Sequence, residues 1–134
     1  MTNSLLLEIV TPEKIKFSSK VGIVLAPGEE GYLGILPSHA PLLAALREGD
    51  LWTRRDQKEI HLAIGAGFIQ VTPEKVIVLS EWAERGEDLD SAVLESALRV
   101  HEENLRKCTS DDQRKELEMI IQRTLLKIRV SKQA

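Results

Sequence analysis

"AERGED", residues 83–88, is the stretch on which the reading of this chain turns. Before it, apolar residues come in short runs or alternate, and Gly or Pro punctuates them. After it, from Asp88 to the end, neither Gly nor Pro occurs and helix formers dominate. Gly86 interrupts both patterns, so the stretch reads as a hinge between two domains, residues 1–84 and residues 85–134.

Upstream of the hinge the pattern is that of strands. Leu5, Leu7 and Ile9 alternate; residues 21–26 form an apolar run; Ile60, Leu62 and Ile64 alternate again; residues 68–71 and 76–79 follow. Many short strands with frequent turns predict a sandwich or flattened barrel. "VTPEK" occurs twice, at residues 10–14 and 71–75, each time after one strand and before another. Proline presets a turn angle and cannot donate to a ladder, so the repeat reads either as one turn solution used twice or as an internal duplication.

Downstream, Leu89, Val93, Ala97, Val100, His101 and Leu105 fall at helical spacing, with Leu94 and Leu98 beside them. A second series runs through Leu117, Ile120, Ile121, Leu125 and Ile128. Between them "KCTSDD", residues 107–112, is polar and offers Thr109, Ser110 or Asp111 as an N-cap. The expectation is an antiparallel helical hairpin, each helix about 28 Å long from roughly 19 residues, reaching some 60 Å if laid end to end. Acids (Glu81, Glu84, Glu87, Asp88, Asp90) crowd its start, whereas Arg123, Lys127, Arg129 and Lys132 close the chain with no acid after Glu118. One reading is helix-dipole complementarity, at about 0.3–1 kcal/mol per charge. The other is a basic tip that docks on an acidic partner.

A length of 134 residues suits one ordinary domain, or a compact domain with an appendage, and excludes a large multidomain enzyme. The 43% apolar content supports a core, and a net charge of -3 makes free nucleic acid an unexpected partner. Cys108 is the only cysteine, which excludes an internal disulfide and a Cys-rich metal cluster and fits a reducing compartment. "MTNSLLLEIV" has no basic leader or small-residue cleavage site, and no run approaches the roughly 18 apolar residues of a membrane span. A soluble chain without an address is expected.

Catalytic signatures are sparse. His39 has Ser38 beside it, but neighbours in extended chain point to opposite sides, and spacing names no paired acid. There is no G-x-S-x-G and no phosphate loop, and "GAGF", residues 65–68, lacks the third glycine and following helix of a dinucleotide fingerprint. Those glycines fit a bulge or a close backbone approach. His61 falls on the polar phase of a strand and His101 on the inner face of a helix, neither with a second ligand at metal spacing. All three histidines therefore read as structural. "GILPSHAPLLAAL", residues 34–46, carries more apolar bulk than a half-solvated sheet needs, and part of it is a candidate docking face.

Three blocks together resemble the epsilon subunits of the rotary ATP synthases. They are "GYLGILPSHAPLLAALREGDL", residues 31–51, "AIGAGFIQVTPEKVIVLSEWAERGEDLD", residues 63–90, and a charged two-helix tail ending in "LLKIRV", residues 125–130. The resemblance covers essentially the whole chain and implies a ten-stranded β-sandwich followed by a helical hairpin. It implies a non-catalytic subunit of the central rotor stalk, with no cofactor, that couples ion flow to ATP synthesis. The sandwich would bind the gamma subunit and the membrane ring of c subunits, placing Pro37, His39 and Leu42 in or near the rotor-facing surface. Many family members carry an acid where Tyr32 stands here, and Glu29 and Glu30 are the nearest acids to replace it.

The resemblance also implies a regulatory arm that inhibits ATP hydrolysis by entering the catalytic head. Arg123, Lys127 and Arg129 are its candidates to meet acids on a beta subunit, in a head built of alpha and beta subunits. Some bacterial members bind ATP on the folded hairpin through Ile/Leu-Asp-x-x-Arg-Ala. Here Leu89 and Asp90 match, but Val93 stands for the arginine and Leu94 for the alanine, so weak or absent ATP binding is expected even with Arg123 and Lys127 nearby. The implied location is peripheral, on the cytoplasmic face of a bacterial plasma membrane, with the stromal face of a thylakoid as the alternative. Two other readings stand beside it: a purely structural stalk subunit whose arm stays folded, and a small-ligand-binding β-sandwich.

Overall fold

A computed structural model describes residues 4–134. Ten strands come first: β1 (Leu5–Val10), β2 (Ile15–Val21), β3 (Ile23–Gly28), β4 (Gly31–Ile35), β5 (Leu42–Leu46), β6 (Gly49–Arg55), β7 (Lys58–Ile64), β8 (Gly67–Val71), β9 (Lys75–Ser80) and β10 (Ala83–Arg85). A 3-10 turn (Gly86–Asp88) then leads to α1 (Ser91–Lys107) and α2 (Asp111–Gln133). The sandwich with its helical hairpin is the architecture that the two periodicities predicted.

The strands form a continuous ribbon in the order β10-β7-β6-β3-β5-β8-β9-β1-β2, with β4 attached to β3. All pairings are antiparallel except β1 with β9. The ribbon curls so that β2 comes beside β6, where Arg55 donates to the Ser19 hydroxyl at 2.9 Å, and the link from β2 to β3 is held by Gly22 N–H donating to the Arg54 carbonyl at 2.8 Å. Alternation then fills the inside: Leu5, Leu7 and Ile9 of β1, Leu51 of β6, Leu62 and Ile64 of β7, Ile69 and Val71 of β8, and Val76 and Val78 of β9. Two polar residues share the buried phase: Thr53, whose hydroxyl donates to the Ile23 carbonyl at 2.6 Å, and Ser80 of β9, whose hydroxyl lies 3.0 Å from the Gly65 carbonyl and 2.6 Å from that of Trp82.

The two VTPEK stretches close the β1–β2 and β8–β9 hairpins with the same bonds. In each the Thr N–H and hydroxyl both reach the Lys carbonyl, from Thr11 to Lys14 at 2.9 and 3.1 Å and from Thr72 to Lys75 at 2.8 and 3.1 Å. Turn chemistry accounts for the repeat.

The helices differ from expectation in length and phase. With 17 and 23 residues they measure about 26 and 35 Å, so α2 overruns α1, and its last turns reach the sandwich. Ser110 is the N-cap of α2, its hydroxyl accepting from Gln113 N–H. On α1 the covered stripe is Leu94, Ala97, Leu98, His101 and Leu105, while Val93 and Val100 point to solvent, 63% and 58% exposed. A single helix neighbour covers only a narrow stripe, and residues one step out of phase lie 100° away from it. In α2 the same step exposes Leu125 and buries Leu126.

The hinge stretch is ordered. Ala83, Glu84 and Arg85 pair with Ile64, Ala63 and Leu62 as β10, and only Gly86–Asp88 turn the chain. His61 keeps the outward phase read from the sequence. It lies on the outer face of β7, yet is only 8% exposed, because α2 and the 3-10 turn cover that face. Its Nδ1 lies 3.1 Å from an Asp50 carboxylate oxygen and its Nε2 3.4 Å from Glu59.

Candidate protein-interaction site

Two surfaces on the sandwich and one on the hairpin have the composition of contact sites. The first is the 31–43 block. Glu29 and Glu30 are exposed at the β3–β4 turn. Tyr32 is held at the β5–β6 corner, its hydroxyl donating to the Asp50 carbonyl at 3.0 Å and its ring lying 5.4 Å from the Arg47 guanidinium carbon. Pro37 and His39 sit in the β4–β5 connection. There Ser38 takes a left-handed φ of 67° and its N–H bonds the Pro73 carbonyl at 2.9 Å. His39 Nδ1 bonds the Ala40 carbonyl at 2.7 Å and its N–H reaches Leu36 O, so the ring serves the turn. Leu42 packs against the core, and the outward residues of the block are Leu36 and Leu43, 58% and 72% exposed.

Leu43 begins the second surface. Cross-strand register puts Leu43, Ala45, Phe68, Leu79 and Val10 on one outer face of β5, β8, β9 and β1. Phe68 and Leu79 are 56% and 52% exposed. They border a shallow groove of about 640 Å³ with Glu29 and Glu81 at its rim. Sequence reading missed these residues because strand alternation gives both faces of β8 and β9 similar apolar character, and only the curl of the ribbon decides which face is inside. An apolar face of this kind is a candidate contact surface.

The third surface is where the arm meets the sandwich, and it gathers two of the three predicted arm cations. Arg123 Nε donates to a Glu48 carboxylate oxygen at 2.9 Å, and Lys127 Nζ donates to Glu84 at 3.1 Å. Both cations also lie over the Trp82 indole, at 5.2 and 4.9 Å from its ring. Arg129 is exposed on the other side of α2. Beneath the cations Ala63, Leu126 and Val130 form a small apolar cluster with Trp82 and Leu89. Two glycines permit this closeness. A Cβ on Gly65 would come within 2.6 Å of the indole, and one on Gly86 within 2.7 Å of the Val130 carbonyl. Trp82 and Glu48 were not singled out from sequence, and Glu84 was named only among the acids crowding the start of the hairpin, not as a partner of α2. The available signal for Trp82 was a tryptophan, one of two in the chain, directly before the hinge stretch.

The energetics of this interface are modest. Partly exposed ion pairs contribute about 0.2–1 kcal/mol each, and a cation over an aromatic face about 0.5–1 kcal/mol. Asp90 is already occupied, its carboxylate capping α1 by accepting from Ala92 N–H at 3.0 Å and Val93 N–H at 3.4 Å. At the far end of α1 the Arg106 side chain, hydrogen-bonded to Glu103, holds that carboxyl below its usual value, in a fully exposed pair. Among the described residues no group of His, Cys, Asp and Glu is placed to hold a metal ion, and no helix is long and apolar enough to cross a membrane.

Known proteins share this plan. The family model described as the β-sandwich domain of the ATP synthase delta/epsilon chain matches residues 4–86. The ATP synthase epsilon chain of Nitratidesulfovibrio vulgaris (strain DP4) is 41% identical over 130 residues, covering 97% of each chain. That of Pelotomaculum thermopropionicum is 45% identical over 103 residues, 77% of each. Among solved structures, a chain of the Euglena gracilis mitochondrial ATP synthase, in an OSCP/F1/c-ring assembly, superposes with a TM-score of 0.74 at 18% identity, covering 99% of this chain and 80% of that one. A chain of the Tetrahymena thermophila mitochondrial ATP synthase central stalk and c-ring superposes with a TM-score of 0.53 at 15% identity, covering 76% and 91%. The structural likenesses speak to the fold, the sequence matches to descent. With its sandwich inside the family model and its helices carried by a nearly full-length relative, the chain belongs to the ATP synthase epsilon-chain family.

Proposed function

We propose that this chain, a non-catalytic subunit of ATP synthase, works on the central stalk, turning with the rotor and restraining ATP hydrolysis with its helical arm. The carrying observation is the way the arm is attached. A small apolar cluster ringed by two ion pairs joins α2 to β7, β10 and the 3-10 turn, an interface of detachable size beside a sandwich with its own closed core. Helices of 17 and 23 residues laid end to end reach about 60 Å, enough to leave the sandwich and enter a neighbouring subunit. In that position Arg123 and Lys127 on one face of α2, and Arg129 on the opposite face, are available to acids on the beta and alpha subunits of the catalytic head.

The sandwich is the anchor in this reading. Its apolar outer face of Leu43, Phe68 and Leu79 suits a long-lived protein contact, which we assign to the gamma subunit. The 29–43 rim, with Glu29, Glu30, Tyr32, Pro37 and His39, faces the c-ring, and the complex places the chain peripherally at the membrane, on the cytoplasmic side in a bacterium. ATP is not a strong ligand of the folded hairpin. Asp90 is committed to its cap, Val93 offers no cation, and Arg123 and Lys127 already have carboxylate partners. Calorimetry with Mg-ATP is expected to give no saturable binding in the low micromolar range.

The test of the main reading is hydrolysis by the matching catalytic head, stripped of this chain, titrated with full-length protein or with a version ending at Asp88. Suppression by the full chain alone, with both versions bound, supports an inhibitory arm. Binding of both without suppression leaves a structural stalk subunit, and binding of neither overturns the assignment to the stalk.

A further inference from the structure

Resting on the reading that the arm can extend, we infer that Glu48, Glu84 and Trp82 form a clasp on the sandwich that holds α2 folded by occupying the same two cations the extended arm needs. The three come from separate places: Glu48 from the β5–β6 turn, Trp82 from the link between β9 and β10, and Glu84 from β10. They converge on Arg123 and Lys127, which sit one turn apart on one face of α2. Each cation is thus held twice, by a carboxylate and by the face of the same indole. Arg123 and Lys127 therefore cannot serve the sandwich and a second acidic surface together. Extension is an exchange of acidic partners, and the charge of two sandwich residues sets how readily it occurs.

The clasp is poised for release in two respects. Both ion pairs are partly exposed, with side-chain exposures of 36% and 28% for Arg123 and Glu48 and of 22% and 40% for Lys127 and Glu84, so salt reaches and screens them. The Trp82 indole N–H is buried without a protein acceptor, an unfavourable state that offsets part of what the ring gains from the cations above it. Withdrawing α2 uncovers the ring and lets water approach it.

The clasp is tested in the full chain carrying Cys108→Ser and Leu126→Cys. Leu126 lies on the sandwich-facing side of α2 and is 5% exposed, so a thiol there reacts with a disulfide reagent only when α2 lifts, and its labelling rate reads the detached-to-docked ratio. Adding Glu48→Gln and Glu84→Gln is expected to speed labelling by about 2- to 30-fold at low salt, the effect of losing two partly exposed pairs. Raising salt to about 0.5 M should speed the parent and leave the double variant little changed. The exchange Glu84→Lys with Lys127→Glu should label more slowly than Glu84→Lys alone, and Glu13→Gln, a neutralisation away from the arm, should match the parent. Far-UV circular dichroism confirms that each variant is folded. Labelling unchanged by the paired Gln substitutions and by salt overturns the clasp. Faster labelling with no change in inhibition of the catalytic head keeps the clasp and overturns the inhibitory reading instead.

Discussion

Gly86→Ala places a methyl group at the tightest point between the arm and the sandwich. The added Cβ lies 2.7 Å from the Val130 carbonyl oxygen, 3.2 Å from the His61 carbonyl oxygen and 3.2 Å from Val130 Cγ1. Ordinary contact needs about 3.4 Å or more, so one wall must retreat by roughly 0.7 Å. The His61 wall belongs to β7, which is paired on both sides by β6 and β10, whereas Val130 belongs to α2, which meets the sandwich through a small apolar cluster and two partly exposed ion pairs. The arm therefore gives way. Overpacking of this order costs about 1–3 kcal/mol, while replacing Gly by Ala returns about 0.4–1 kcal/mol by stiffening the unfolded chain. The steric cost wins and falls on docking, because the detached arm does not feel it. A net 1–2 kcal/mol corresponds to a detached-to-docked ratio raised about 5- to 30-fold. Hydrogen exchange of the α2 amides from Thr124 to Val130 reads this opening, with the core amides of β1 and β9 as the internal standard. If α2 exchanges at the parent rate while the β1 and β9 amides accelerate, the methyl is accommodated by the sandwich, and the account of Gly86 as the closing point of the arm is refuted.

Asp90→Ala removes the N-cap of α1 and should lower helix stability by about 1 kcal/mol, seen as an earlier loss of helical circular dichroism with the strand signal retained. Thr53→Val keeps the shape of a fully buried residue but removes its hydroxyl from the Ile23 carbonyl; a loss of about 1–3 kcal/mol in chemical denaturation is expected. Glu103 should titrate by NMR below the usual carboxylate midpoint of 4.5 because of its hydrogen bond and charge contact with Arg106, and Arg106→Gln should return it upward. Since the folded-state value is depressed, any stabilisation from that pair is present above the unfolded carboxylate midpoint and lost as pH falls through the lower folded one.

The elements that were legible from sequence are those whose signal is local. Leu5, Leu7 and Ile9 alternate because β1 has one dry and one wetter face, and the change of period after residue 80 reports a change of element type. The VTPEK turns were legible for the same reason, since their bonds run between Thr and Lys three residues apart. The phase of α1 was misread, and the burial of His61 went unread, because both depend on a neighbour distant in sequence. A strand position on the polar phase becomes buried once α2 lies over it, and Val93 and Val100 become exposed because only one helix flanks α1. Of the candidate residues, Arg123 and Lys127 were visible as cations near the end of the chain, but nothing in their spacing named Glu48, 75 positions away from Arg123, or Glu84, 43 away from Lys127.

By itself the sequence determined the division into a strand-built unit and a helical hairpin, the chemistry of the VTPEK turns, and the family, because each rests on neighbouring residues or on a specific order of them. Only the tertiary structure decided which sheet face is dry, which cations are held, and that one tryptophan sits beneath both. These are outcomes of how a curled ribbon and a returning helix meet, and side chains far apart along the chain become neighbours only after the entropy of closing the intervening loops has been overcome by packing.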